Sequence, residues 1–573
     1  MPPNILQMKK IISLFILIGF SFVFYAQSPA KYWVQFKDKE GTSYSVKHPE
    51  EFLSPRAIEK RQRFNIPITE QDLPVNDQYI QQLLAIDPQM VLLTKSKWLN
   101  GVTVYTTTAN IAEKIRKLDF VTLCECTARL DVEESFDYPT TPYTPPTQAK
   151  EVIEMPKDYH DFAYGYAAWQ IGANRAQWLH RLGAHGEGML MVVMDAGFQN
   201  VQKMPAFNAL RDEGRLLGTR NFVQPGRSVF ISGSHGTEVL SCIAAYLPDE
   251  IVGTAPKASF YLAKTEDSRS ENKIEEDNWV AGLEWADSLG CDVLSSSLGY
   301  YKFDNKNQSY NYEDMTGKVS RASRAASMAA SRGIIVCVSA GNEGDEDWKY
   351  ITCPADADSI LTVGAIDRSY NITDFSSYGP TSDGRVKPDG LSIGAQAIVV
   401  TPSDEVDASY GTSFSAPIFA GMVTCLWQLF PDKTPMEVID AVQRAGNMYG
   451  TPSDHGGYGL TNFVNAYNHL ARSNDASVLA AFGVSSSSTS CEGIYFASIG
   501  VSSFTVRVTI DGTSFQSEQV VKVKGKKQGD YVTNIFKLKL PKCPKDQNYA
   551  IARAQVICPE GIIYEQVIGL LPK

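Results

Sequence analysis

The 573-residue chain has no low-complexity tract, no short internal repeat and no dense block of lysine and arginine past its N-terminus. The first two absences exclude a solenoid or a repetitive scaffold. The third, with a net charge of −11, speaks against nucleic acid as the main partner. No CxxC pair and no histidine cluster has metal-ligand spacing, so no metal site is legible. Histidine is scarce, at seven residues, and ten cysteines are spread thinly. Several cysteines sit in apolar runs, as in Val336-Cys337-Val338 and Thr424-Cys425-Leu426, and read as buried thiols. Cys543 and Cys558 are candidates for a pair in the last segment, but sequence alone leaves connectivity open.

Long apolar runs are missing too, apart from one near the N-terminus. There Lys9 and Lys10 precede an apolar run from Ile11 to about Phe24, followed by Ala26, Gln27 and Ser28. A positive start, a short apolar core and a small residue at the cut describe a secretory signal peptide over residues 1–26. The chain is therefore expected to be exported: secreted, periplasmic or held at the cell surface. An uncleaved anchor is the alternative, disfavoured because a span needs about 20 apolar residues.

What is present is an ordinary soluble composition, 43% hydrophobic and 20% charged. The length exceeds one compact core. Residues 27–135 read as a small α+β domain. It has strands at Lys31–Phe36, Gln89–Leu93 and Gly101–Thr107, a charged helix at Ser54–Arg63 and another at Ile111–Leu118. Residues 136–159, punctuated by Pro139, Pro142, Pro145 and Pro146, read as an extended, easily cut linker.

Over residues 160–474 short, fully apolar runs alternate with helical patterns. The runs include Met189–Met194, Val293-Leu294, Gly333–Val338 and Ile360–Ile366. Strands apolar on both faces, separated by helices, predict a doubly wound, mostly parallel α/β sheet. Function in such sheets sits at the carboxyl ends of strands, which here carry Asp195, Ser297-Leu298-Gly299 and Gly341-Asn342. Residues 475–573 alternate apolar and polar, as in Phe504–Ile510, and predict an antiparallel β-sandwich-like domain.

Four local patterns carry chemistry. Tyr410-Gly-Thr-Ser413-Phe-Ser-Ala-Pro417 leads into an apolar helix, so Ser413 stands at the positive end of a helix dipole among free N–H groups. Serine is also an ordinary helix cap. His235-Gly-Thr opens another apolar helical stretch, with glycines that let a backbone approach. Asp195 ends a buried strand, where it can fix an imidazole tautomer or merely cap a helix. Asn342, in Ala340-Gly-Asn-Glu, offers a side-chain donor of the kind an oxyanion needs, and is equally at home in a turn. Each pattern alone is weak; the chain order Asp195, His235, Asn342, Ser413 is specific.

This set resembles the subtilisin-like serine proteases, the subtilases, over roughly Tyr166 to Ala471. Asp195-Ala-Gly, His235-Gly-Thr, Ser297-Leu-Gly, Ala340-Gly-Asn and Gly411-Thr-Ser413 are similar to that family's aspartate, histidine, substrate-strand, oxyanion and serine motifs. Thr254-Ala-Pro256, Val363-Gly-Ala365 and Phe375–Pro380 match further. Two departures stand out. Glu238 replaces a second histidine, and Ser413-Phe-Ser-Ala-Pro replaces the usual Ser-Met-Ala-Ser-Pro. Glu238 raises the related serine–carboxyl peptidases (sedolisins), which use Glu and Asp in place of His; the intact His235 and Asn342 argue against them. Ser415 reads as structural.

The resemblance implies a secreted serine endopeptidase acting on protein or peptide substrates through an acyl-enzyme on Ser413. Asp195, His235 and Ser413 would be catalytic and Asn342 would hold the oxyanion. Ser297, Leu298, Gly299 and Glu266 would bind extended substrate. It also implies that the first α+β domain is a propeptide that inhibits the enzyme as a zymogen and is removed by self-cleavage between Asp131 and Pro156. Ser54–Arg61 and Asp72–Asn76 resemble propeptides of secreted subtilases from Bacteroidetes-like bacteria. The acidic run from Glu266 to Asp277 would favour basic residues before the cut, or be a solvated loop or helix start. No cofactor is expected to be required; calcium suits such carboxylates, yet no calcium loop is legible. A catalytically silent fold and a binding role for the C-terminal domain are the rival expectations.

Overall fold

In the computed structural model, residues 29–130, 163–472, 476–482, 490–511, 513–528, 531–540, 542 and 549–572 are described. The expected signal peptide, most of the linker with the expected cleavage region, and Cys543 lie outside these residues. The chain forms two compact units. One holds the described residues up to Ser43 together with those from Pro74 to 130; the other holds Tyr44–Leu73 and everything from residue 163 onward.

The first unit is an antiparallel sheet of four strands in the spatial order Val91–Ser96, Gly101–Thr106, Ala30–Phe36, Val121–Arg129. Alternating apolar residues of these strands, such as Val34, Val102 and Val104, bury one face against Leu83 of the helix Asp77–Ala85 and Ile111 of the helix Ile111–Ile115. The helix Asp77–Ala85 went unread in the sequence. It is capped by Asn76, whose side chain accepts from Gln78 N at 2.8 Å.

The second unit is built on a seven-stranded sheet, every pair parallel. Its spatial order is Gly390–Ile393, Leu361–Ile366, Ile335–Ser339, Val293–Ser296, Leu190–Asp195, Ser259–Lys264, Leu216–Asn221. All the expected runs are strands. Leu216–Asn221 and Gly390–Ile393 are additional; the first ends in the polar Thr219-Arg220-Asn221 and the second has only four residues, Gly-Leu-Ser-Ile, so they lack a strong apolar signature. The chain order reverses between Leu190–Asp195 and Val293–Ser296, which opens a crevice at the carboxyl ends of those two strands.

Through the core runs the helix Thr412–Gln428, apolar all round and buried along nearly its whole length. It packs against the helix Ser234–Ala244 and four strands of the sheet. Among the described residues, no helix is long and apolar enough to cross a membrane.

The C-terminal segment forms two antiparallel four-stranded sheets. One holds Val478–Phe482, Ser490–Ser498, Tyr531–Lys539 and Lys526–Gln528; the other Gln516–Lys522, Ser503–Ile510, Tyr549–Ile557 and Ile563–Pro572. Their facing residues, including Tyr495, Phe504 and Val556, share one core. Strict in–out alternation along Ser490–Ser498 and Ser503–Ile510 is what made this domain readable.

The helix Pro55–Arg63 belongs to the second unit. Two of its charges are buried, Lys60 at 4% exposed and Arg61 at 2%, while Arg56, Glu59 and Arg63 stay exposed. Arg61 Nη2 lies 2.8 Å from Asp287 and 3.1 Å from Asp72. Arg332 Nε lies 3.2 Å from Asp72. Lys60 donates to the carbonyl of Cys291, and Arg56 pairs with Asp292. Ser54 caps the helix through its side chain, and its backbone N–H reaches Ser288 O at 2.8 Å.

Candidate active site

Asp195 ends its strand fully buried. The chain then turns through Ala196 and Gly197, the latter at φ 132°, where a side chain would strike the carbonyl of Ser232. That contact seats the loop before His235 against the aspartate. Gly233, at φ 87°, is the N-cap of the helix Ser234–Ala244, which makes His235 its second residue. A side chain on Gly236 would meet the Asp195 side chain at 2.8 Å. The glycines around His235 thus serve close approach to Asp195.

His235 Nδ1 lies 2.8 Å from Asp195 Oδ1 and 3.0 Å from Oδ2. A carboxylate accepts only, so Nδ1 carries the proton and Nε2 is left as the acceptor. Burial lowers the His235 pKa, but the charge and hydrogen bond of Asp195 outweigh it, with smaller help from Glu238 and Glu266; the net shift is upward. About a third of its side chain, 36%, faces solvent. By contrast His180 is enclosed, between Tyr164 Oη at 2.7 Å and Thr254 O at 2.9 Å, and burial pushes it down to about 3.

Ser413 is the second residue of the helix Thr412–Gln428, after Gly411 at φ 141°. It is partly exposed, and its neighbour Phe414 places its ring 5.9 Å from the His235 ring. Ser297 Oγ donates to Ser413 O at 2.7 Å. Ser415 is fully buried and donates to Thr412 O at 3.0 Å, a structural hydroxyl.

Asn342 follows the strand Ile335–Ser339. Its Oδ1 accepts from Thr412 N at 2.8 Å and Thr412 Oγ1 at 3.0 Å. The amide is therefore oriented, with Nδ2 as its remaining donor group. Thr412 was not singled out in the sequence, because a threonine before a helix serine reads as a cap.

Ser297 and Leu298 are buried and Gly299 is exposed, beyond the last ladder pair Ser296 with Val338. Glu266 accepts from Tyr300 Oη at 3.0 Å. The second half of the acidic run is inside: Glu275, Glu276 and Asp277 are 1%, 0% and 2% exposed. Glu276 accepts from Ser320 Oγ and Arg321 N, both at 2.8 Å, and Asp277 pairs with Arg321 at 2.6 Å. These carboxylates hold the start of the helix Arg321–Ala329 rather than line a solvated loop.

Glu266, Glu271 and Glu275 place oxygens within 4.8 Å of one another. Burial first, then mutual repulsion, pushes Glu275 up to about 12 and Glu271 up to about 8. Burial and neighbouring carboxylates also raise Glu266, to about 7. Shared protons thus relieve the cluster near neutral pH. Glu238 accepts from Ser409 Oγ at 3.1 Å.

An aspartate–histidine pair at the switch crevice of a parallel sheet, with Phe414, the neighbour of the helix-starting Ser413, 5.9 Å from the histidine ring, is an arrangement suited to the class of the serine hydrolases. The comparisons with known proteins are specific. Residues 186–461 match the subtilase family (peptidase S8), and residues 31–139 match the peptidase S8 propeptide domain of Bacteroidota. Subtilisin NAT of Bacillus subtilis subsp. natto and subtilisin E of B. subtilis strain 168 are each 30% identical over 307 residues, 53% of this chain and 71% of theirs. The serine protease AprX of B. subtilis strain 168 is 28% identical over 289 residues, 45% of this chain and 61% of its own. A solved structure, the prenylagaramide maturation protease PagA, aligns at 21% identity and a TM-score of 0.40, over 52% of this chain and 98% of that one. The chain belongs to the subtilase family: it is a subtilisin-like serine protease, a hydrolase, with a propeptide domain. The propeptide match includes the helix Pro55–Arg63, which lies in the second compact unit.

Proposed function

We propose that this chain is an exported endopeptidase that cuts peptide bonds through an acyl-enzyme on Ser413. The observation that carries the reading is the 2.8 Å contact of His235 Nδ1 with Asp195, beside the helix that starts at Thr412. His235 Nε2 takes the Ser413 proton as Oγ bonds to the scissile carbonyl carbon. The oxyanion is held by Asn342 Nδ2 and the Ser413 backbone N–H. His235 then gives the proton to the leaving nitrogen as the C–N bond breaks. Water repeats the cycle and frees the carboxylate. Every group in this sequence belongs to the chain, so no cofactor is needed for the chemistry. Calcium at the Glu266–Glu271–Glu275 cluster, whose carboxylate oxygens suit it, would neutralise charge without entering a step.

Substrate binds extended along Ser297, Leu298 and Gly299. Glu266 favours a basic residue before the cut; its field already reaches His235. The propeptide domain acts as the chain's own inhibitor and is removed by self-cleavage in the linker. The signal peptide takes the zymogen out of the cytoplasm. Domain boundaries at 27–135, 136–159, 160–474 and 475–573 follow from this reading.

Wild type and Ser413→Ala, purified in full length, test it by intact mass, casein digestion and a serine-directed fluorophosphonate probe. Labelling at Ser413, digestion and loss of the N-terminal domain in wild type alone are expected. A wild type that neither labels nor digests after removal of the propeptide by another protease would overturn the reading.

A further inference from the structure

The helix Phe463–Leu470 and the C-terminal sheets meet along a tight seam. Asn468 Nδ2 donates to Val567 O at 3.1 Å, and Val567 N donates to Asn468 Oδ1 at 3.0 Å. Trp178, Val464, Ile551 and Val567 pack there as a small apolar cluster. Beside the seam lies an open cavity of about 680 Å³. That is within the range of roughly 300–1,000 Å³ that encloses a small ligand.

Among the described residues, three groups in this cavity lack partners. Gln566 is fully buried, and its Nε2 donates to Ala480 O at 2.7 Å. A carbonyl can only accept, so the amide orientation is fixed, and its Oε1 is left buried without a hydrogen bond. Such an orphan costs about 1–3 kcal/mol unless a ligand supplies a donor. Arg472 Nε is likewise buried and unbonded. Burial lowers the Arg472 pKa, the penalty of a guanidinium held from water. Arg175, on the rim, forms no ion pair among the described residues. His469, also in the lining, is pushed down to about 4, first by burial and then by Arg472 and Arg444, so it is neutral. The one carboxylate on the rim, Glu492, is exposed. Among the described lining residues, positive charge exceeds negative.

The opposite wall is apolar. Phe482, Ile494 and Ile535 line it, with Ile494 and Ile535 directly cross-strand and 38% and 62% exposed. A fitting ligand must bring a carboxylate for the guanidiniums, an N–H for Gln566 and an apolar group, close together. Phosphate or sulfate brings only the first. The last residue of a peptide brings all three. We propose that this cavity between the catalytic and C-terminal domains binds the carboxyl end of a short peptide with an apolar last side chain. The site is separate from the Ser413 crevice and does not depend on the proposed chemistry there. It takes the kind of molecule that peptide-bond hydrolysis releases.

Calorimetry on full-length Ser413→Ala protein, which leaves the probe intact, tests this. The probes are acetyl-Ala-Ala-Phe as free acid, the same peptide as C-terminal amide, and glucuronate. The acid is expected to bind at least tenfold tighter than the other two. Arg472→Gln is expected to weaken the acid at least tenfold and leave the amide unchanged. Ile535→Asp, at an exposed position, weakens the acid several-fold without risk to folding. Equal binding of acid and amide, or no binding at millimolar peptide, overturns the proposal. So does acid binding that is indifferent to both variants, which would place the peptide in the Ser413 crevice. Glucuronate binding as tightly as the peptide would make the cavity a simple anion site and overturn the peptide assignment.

Discussion

Thr412 donates twice to one oxygen of Asn342: its backbone N–H at 2.8 Å and its hydroxyl at 3.0 Å reach Oδ1. The residue before the proposed nucleophile therefore orients the proposed oxyanion donor. Thr412 and Ser413 sit at the start of the same buried helix, so one rigid element carries the nucleophile and orients the donor.

Removing that orientation should slow chemistry and leave binding alone. Thr412→Val keeps the backbone donor and loses the hydroxyl. A fall in kcat of about tenfold, with KM within twofold, is expected. Asn342→Ala should cost about 10²–10³ in kcat, a magnitude carried over from a subtilisin. Steady-state kinetics on a chromogenic peptide checks both. A Thr412→Val enzyme altered only in KM would contradict the orienting role.

The proposed base sets an acid limb. His235 must be neutral to accept a proton, and burial, which would lower its pKa, is outweighed by Asp195, which raises it above the usual 6.5. Activity should thus be lost as pH falls through a midpoint above 6.5. Asp195→Asn removes the raising charge, so the midpoint should move down while kcat falls by about 10⁴ through loss of the tautomer. A kcat/KM profile from pH 4 to 10 measures this. A wild-type limb centred near pH 5 would point to a carboxylate base instead.

The Arg61 cluster should anchor the helix Pro55–Arg63. Arg61→Leu leaves Asp287 and Asp72 buried with fewer counter-charges. Breaking one side of a buried pair costs about 3–5 kcal/mol. Denaturant unfolding of Arg61→Leu in the Ser413→Ala background should show that loss. The double change Arg61→Met, Asp287→Leu should recover much of it, because Asp72 then keeps Arg332 as its partner. No recovery would mean that shape, rather than charge, holds the helix.

Glu271 should cost stability as pH rises. Burial first, then Glu266 and Asp304, raise its pKa to about 8. The folded chain keeps a proton that the unfolded chain gives up above about 4.3. The contribution is whole below that pH, is lost progressively up to about 8 and is constant beyond. Glu271→Gln should accordingly stabilise by about 1 kcal/mol at pH 8 and by nothing at pH 4, the figure reduced for partial solvent exposure. Thermal melts at both pH values decide it. An equal gain at both would assign the effect to packing.

Much of the site was legible because its signals are local. Glycines at 197, 233 and 411 mark positive φ and close approach, and they flank Asp195, His235 and Ser413. Apolar runs gave the central strands, since strands buried on both faces cannot carry polar residues. Charge was read less well. The charged helix at Ser54–Arg63 gave no sign that Lys60 and Arg61 are buried, because their partners Asp292, Cys291 and Asp287 lie more than 220 residues away. The acidic run does start a helix, Ile274–Leu289, as one expectation had it, but its burial against Arg321 and Ser320 was not legible because those residues start another helix.

By itself the sequence determined the family, the order of the domains and the residue types of the site, because glycine spacing and hydrophobic period are written along the chain. The tertiary structure decided which charges are buried, that Thr412 orients Asn342, and that Tyr44–Leu73 belongs with the second compact unit. It also decided that Gln566 and Arg472 face one cavity without partners. The physical reason is range. Backbone preference acts over a few residues, whereas desolvation and pairing depend on neighbours that only the folded chain brings together.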